Sequence, residues 1–104
     1  MHIWKPVINM RIYPEYAEFI KKVVKSYLPD AEVYLFGSRT KDNLKGGDLD
    51  ILVLGGRELN DQEKREIKIS FYKKFGEQKI DIVSFEKNDP APFKQLVLLE
   101  AQKL

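Results

Sequence analysis

Asp48-Leu49-Asp50-Ile51-Leu52-Val53-Leu54, closed by Gly55-Gly56, is the stretch on which the architecture turns. From Leu49 to Leu54 it reads as a strand, and its near-continuous apolar run predicts burial on both faces. Such a strand needs helices to cover it, and the flanking chain offers them. Upstream, Pro14 suits the first turn of a helix, where its missing N–H costs nothing. Tyr16, Phe19, Ile20, Val23, Val24 and Tyr27 then recur at i, i+3, i+4, i+7, i+8 and i+11 as one apolar stripe, and Pro29-Asp30 stops it. Glu32-Val33-Tyr34-Leu35-Phe36 is rich in strand formers and ends at Gly37, after which a short turn is expected.

Downstream, Asn60 is a candidate N-cap for a helix over 61–75, with Gly76 as its stop and Ile67, Phe71 and Phe75 along its inner edge. Lys79-Ile80-Asp81-Ile82-Val83-Ser84-Phe85 reads as a third strand. From Pro92 onward, Phe93, Leu96, Val97, Leu98 and Leu99 predict a last helix that reaches the C-terminus. The order helix, strand, strand, helix, strand, helix predicts an α/β (α+β) fold: a small three-stranded mixed sheet covered by helices. No repeat, low-complexity tract or linker divides it, so residues 1–104 are expected to form a single domain.

Composition narrows the chemistry. Hydrophobic residues make up 43% and charged residues 33% of the 104, the balance of a soluble globular chain. No stretch approaches the roughly 20 apolar residues that cross a bilayer. The opening Met1-His2-Ile3-Trp4-Lys5-Pro6 lacks a signal-peptide apolar run, so a cytoplasmic location is expected. The absence of cysteine removes disulfides, thiolate nucleophiles and Cys-based zinc sites together. The single histidine, His2, stands near a chain end, which makes His-based acid–base or metal chemistry a poor expectation. Catalysis is left to carboxylates, hydroxyls, Lys and Arg. The formal charge of +2 is too mild to argue for duplex DNA, though it suits a polyphosphate ligand.

Three aspartates fit poorly with a purely structural reading. Asp48 and Asp50 flank Leu49 at the start of an apolar strand, and residues i and i+2 of a strand point to the same face. Their Cα atoms would lie about 6–7 Å apart, at which two bare charges repel by roughly 2.5 kcal/mol with an effective dielectric of about 20. Asp81 falls inside another strand that looks buried, where an unpaired carboxylate is costly. A divalent cation converts these costs into binding energy. Mg²⁺ takes hard oxygen ligands, typically one or two carboxylates plus substrate phosphates. The plainer reading, solvent-facing aspartates paired with lysines, weakens when both sites fall in consecutive apolar strands.

Just ahead stands Phe36-Gly37-Ser38-Arg39. A strand that ends in Gly-Ser exposes backbone N–H groups which, with the Ser hydroxyl, can hold a phosphate. Arg39 adds a forked donor set suited to phosphate oxygens. Gly37-Ser38-Arg39, the nine-residue segment Arg39–Gly47, and then Asp48-Leu49-Asp50-Ile51-Leu52-Val53 resemble the signature of DNA-polymerase-β-like nucleotidyltransferases. The likeness is greatest to their minimal branch, the short MNT proteins. The spacer from Ser38 to Asp48 is one residue shorter than the commonest form of the motif, and Lys45-Gly46-Gly47 replaces a more usual small hydroxyl residue.

The resemblance implies roles residue by residue. Gly37, Ser38 and Arg39 would bind the phosphates of an NTP, ATP being the expected one. Asp48 and Asp50 would hold two Mg²⁺ ions, and Asp81 would complete the metal site and help activate the attacking hydroxyl. The implied function is transfer of a nucleoside monophosphate, AMP in known cases, to a hydroxyl acceptor. Small members of the branch pair with a helical HEPN protein as a toxin–antitoxin system, so a HEPN partner is expected. The alternative is a non-catalytic antitoxin that neutralises such a partner by complex formation. An RNA-binding domain that uses the basic helix faces is a weaker reading.

The remaining features have plainer explanations. Lys21, Lys22 and Lys25, and the charges from Glu63 to Lys74, read as solvated helix faces. Trp4 with Ile3 reads as a hydrophobic anchor. Leu96-Val97-Leu98-Leu99 wraps past the width of one inner stripe, so part of the last helix is expected to meet a second copy or a partner.

Overall fold

The computed structural model describes residues 12–36 and 48–104, with side chains throughout except those of Phe93, Leu96, Val97 and Glu100. The readings made for His2, Ile3, Trp4, Gly37, Ser38, Arg39 and the turn after Gly37 lie outside the described residues. The elements run α1 (Pro14–Tyr27), β1 (Glu32–Phe36), β2 (Leu49–Gly55), α2 (Asp61–Phe75), β3 (Ile80–Glu86), α3 (Pro92–Glu100) and β4 (Gln102–Lys103).

The sheet is mixed, with strand order β3-β2-β1-β4. β1 pairs antiparallel with β2, so Phe36 faces Asp50 and Glu32 faces Leu54. β2 pairs parallel with β3, from Leu49 opposite Ile80 to Gly55 opposite Glu86. α2 makes the crossover that such a parallel pair requires. β2 therefore lies inside the sheet, and its apolar run is buried on both faces as expected. Leu49, Ile51 and Val53 join the larger core with Ala17, Ile20 and Val24 of α1 and Ile67 and Phe71 of α2. Leu52 and Leu54 face the other way, packed with Tyr34, Phe36, Val83, Phe85, Leu98 and Ala101.

The sheet has four strands rather than three, and the last helix stops at Glu100 rather than reaching the C-terminus. Leu35 and Tyr34 pair with Gln102 and Lys103, and the Leu104 N–H donates to the Val33 carbonyl at 2.9 Å. The returning chain end thus occupies the outer edge of β1, whose backbone groups would otherwise lack strand partners. Two residues carry no readable alternation, which is why the sequence pattern is silent about this strand. Leu98 packs inward, whereas Leu99 is 80% exposed.

Helix ends follow their expected signals. Pro14 stands in the first turn of α1. Asn60 caps α2: its side chain accepts from the Glu63 N–H at 2.8 Å, and Glu63 Oε1 accepts from the Asn60 N–H at 3.0 Å. Gly76 ends α2 with φ +92°, a conformation other residues adopt only under strain. Tyr16 packs at 4.8 Å from Phe71 and 4.7 Å from Phe75, an aromatic seam between α1 and α2. The Tyr27 hydroxyl donates to Glu66 at 2.7 Å across the same seam. Among the described residues, no helix is long and apolar enough to cross a membrane.

Glu63 also takes a forked ion pair from Arg57 at 2.8 and 2.9 Å, and this hydrogen bonding, with the Asn60 N–H, holds its carboxyl at about 2 against an ordinary 4.5. A depressed folded-state value means the contribution is present above pH 4.5 and lost as pH falls toward 2. Glu63→Gln should therefore melt below wild type at neutral pH, with the gap closing between about pH 4.5 and 2. Thermal melts across that range check this; a gap independent of pH would contradict it.

Candidate active site

The parallel register of β2 and β3 places Asp50 directly opposite Asp81. Residues paired in this way share a face and stand about 4.8 Å apart along the hydrogen-bonding direction. On the far side of Asp50, β1 contributes Phe36. Phe36, Asp50 and Asp81 thus make one row across three strands, at the end where β1 finishes and β2 and β3 begin. The row lies on the face opposite α1 and α2, since Leu52, Leu54, Val83 and Phe85 of the same alternation belong to the smaller apolar cluster. Tyr34, Leu52 and Val83 form the next row, an apolar floor beside the carboxylates.

Asp48 immediately precedes β2, two residues before Asp50. Asp48 and Lys79 immediately precede the Leu49–Ile80 pair, in which the Leu49 N–H donates to the Lys79 carbonyl at 3.0 Å. Lys79 and Asp48 are consequently neighbours, with Nζ and Oδ2 3.9 Å apart and side chains 69% and 50% exposed. Asp50 is half-buried. Asp81 is exposed, contrary to the buried setting expected of it. The reason is topological: β3 is an outer strand of the sheet, so the apolar residues around Asp81 do not enclose it.

Asp48, Asp50 and Asp81 are thus brought to one end of one face, while Gly37, Ser38 and Arg39 lie outside the described residues. Phe36 and Lys79 are neighbours of the acidic row that sequence reasoning passed over. Their signals were present: Phe36 directly precedes Gly37, and Lys79 is two residues before Asp81, hence on its face. Among the described residues, a shallow depression of about 460 Å³ lined by Glu15, Glu18, Phe19, Lys22 and Lys74 opens on the helices and not on this row.

The donor set suits Mg²⁺, which takes hard oxygens and commonly uses one or two carboxylates with substrate oxygens completing its shell. The direct register of Asp50 with Asp81 supplies such a pair on two rigid strands. Among the described residues, no three acidic side chains are gathered as a ready-made cage. The residues fit a metal held jointly with a bound phosphate better than one held by protein alone.

The nucleotidyltransferase domain family matches residues 17–104 of the chain. No curated relative matches. Among solved structures, the fold is similar to a chain of a tri-AMPylated HEPN toxin in complex with MNT antitoxin from Shewanella oneidensis, with TM-score 0.60 and 21% identity over 86% of this chain and 68% of that one. It is similar also to the toxin–antitoxin MntA–HepT, with TM-score 0.60 and 20% identity over 86% and 68% of the two chains. A toxin–antitoxin solved with AMP-PNP gives TM-score 0.63 and 21% identity over 84% and 70%. At these identities the likeness establishes a shared fold.

Like charges set directly opposite one another on paired strands cost up to about 1 kcal/mol. Asp81→Asn should raise the metal-free melting temperature by roughly 4–8 °C and blunt the stabilisation that Mg²⁺ gives wild type. Differential scanning fluorimetry with EDTA and with Mg²⁺ checks both; a metal-free variant that melts lower than wild type would count against a repulsive pair.

Proposed function

The chain belongs to the nucleotidyltransferase domain family, and from that footing we propose that it transfers AMP from ATP to a hydroxyl group of a HEPN-type partner protein. The observation that carries this reading is the direct opposition of Asp50 and Asp81, with Asp48 two residues upstream on the same face. Its second support is that relatives of the fold include a tri-AMPylated HEPN toxin with its MNT antitoxin and a toxin–antitoxin holding AMP-PNP.

In this reading Asp48, Asp50 and Asp81 hold the metal, and Gly37, Ser38 and Arg39 bind the triphosphate. Mg²⁺ bound there supplies stabilisation of the charge that develops on the attacking and leaving oxygens of an in-line displacement. Asp81, exposed on the outer strand, is open to an acceptor arriving from solvent, and its carboxylate takes the proton of the acceptor hydroxyl. The acceptor oxygen bonds to the α-phosphorus of ATP as the bond to pyrophosphate breaks, and pyrophosphate leaves with its electron pair. Phe36 stands beside Asp50 on β1 and packs with the apolar cluster of Leu52 and Leu54. Positioning, charge stabilisation and one proton transfer are what the reaction asks of the protein, which suits a chain with neither cysteine nor a centrally placed histidine.

The competing reading is an antitoxin that neutralises its partner only by covering it. The ion pair between Lys79 and Asp48 favours it, because a cation already stands on one of the proposed ligands.

Intact-mass spectrometry of a HEPN-type partner co-expressed with this chain separates the two. The partner should gain AMP units with wild type, and Asp48→Asn should cut the modified fraction by roughly 100-fold or more, the upper range for residues that merely support a metal ligand. An unmodified partner that co-purifies equally with both versions would favour the covering module.

A further inference from the structure

Asp48, Asp50, Lys79 and Asp81 form a two-by-two grid on one face of the sheet. One rung holds Asp50 opposite Asp81; the rung below it holds Asp48 beside Lys79. The grid is acidic at three corners and basic at the fourth. Lys79 is held in place by its backbone, since its carbonyl accepts the Leu49 N–H at 3.0 Å. Its ammonium group is not so constrained. The side chain is 69% exposed and reaches Asp48 at 3.9 Å, a contact too open to add much to folding. An ion pair of little structural worth, set on a proposed metal ligand, is well placed to exchange partners.

We propose that Lys79 is an exchangeable counter-ion of the nucleotide site: it neutralises Asp48 when no divalent cation is bound, and turns to the triphosphate when a cation takes Asp48. The proposal rests on the reading of Asp48, Asp50 and Asp81 as metal ligands. The reasons are electrostatic and geometric. Among the described residues, Lys79 stands beside Asp48 with Asp50 and Asp81 on the next rung, so its ammonium partly offsets the negative charge at that corner. An arriving cation competes with that lysine for Asp48 and is repelled by it. A nucleotide triphosphate then brings negative oxygens to the same corner, and an ammonium on a four-carbon stem is a compact, mobile donor that can reorient to meet them. The ion pair seen here thereby serves the transfer reaction, although by itself it looks like a block on the metal site.

Lys79→Met removes the charge and keeps the apolar stem. Manganese binding without nucleotide, followed by electron paramagnetic resonance of free Mn²⁺, should tighten by about fivefold, the size of one unit-charge contact at ~4 Å in water. AMP-PNP binding at saturating Mg²⁺, followed by calorimetry, should weaken by about the same factor, and Lys79→Arg should restore it. A residue that only supported the fold would move both affinities in the same direction. The same direction for both, or no change in either, overturns the proposal. A wild-type chain that binds neither Mn²⁺ nor AMP-PNP overturns the metal-site reading itself, and the role of Lys79 falls with it.

Discussion

Everything about the site depends on the parallel pairing of β2 with β3 in one register. That register is fixed by burial: β2 is covered on both faces, so a slip of one residue would turn Leu52 and Leu54 toward the helices and Asp50 into the larger core. The apolar residues therefore do two things at once. Ile51 and Val53, wholly buried against α1 and α2, lock the strand. By locking it they hold Asp50 opposite Asp81 on the other face. Rigid strands rather than loops carry the acidic row, which is what a site built on positioning requires.

Most of this was legible in the residues because the signals are local and strong. The stripe from Tyr16 to Tyr27, the Asn60 cap with Glu63 three residues on, and the Gly76 stop all specify their elements without tertiary help. The unbroken apolar run of β2 announced a central strand. What was not legible depends on contacts distant in sequence. β4 is two residues whose only reason to extend is the open edge of β1. Asp81 looked buried because its neighbours Ile80 and Ile82 are apolar, yet only the strand order reveals that β3 is an outer strand. The spacing puts Lys79 on the face of Asp81, but its tie to Asp48 exists only once the two strands are paired.

Hydrophobic packing of β2 and its register with β3 set the position of the acidic row. In the proposed reading, a cation held by the row would stabilise the folded chain by mass action. Among the described residues, the face that bears the row has the short helix α3 and the smaller apolar cluster beside it. α1 and α2 carry the bulk of the core on the far side. The larger core and the acidic row thus lie on opposite faces of one sheet, and β2 contributes to both.

In the proposed reaction the row transfers a nucleotidyl group and not a phosphoryl group. The most direct measurement supplies ATP labelled at either the α- or the γ-phosphate to the purified chain with Mg²⁺ and a HEPN-type partner, and follows label on the partner. Label from the α position alone, released with an equal yield of pyrophosphate, is the predicted result. Label from the γ position, or none from either while the two proteins remain bound, would contradict it.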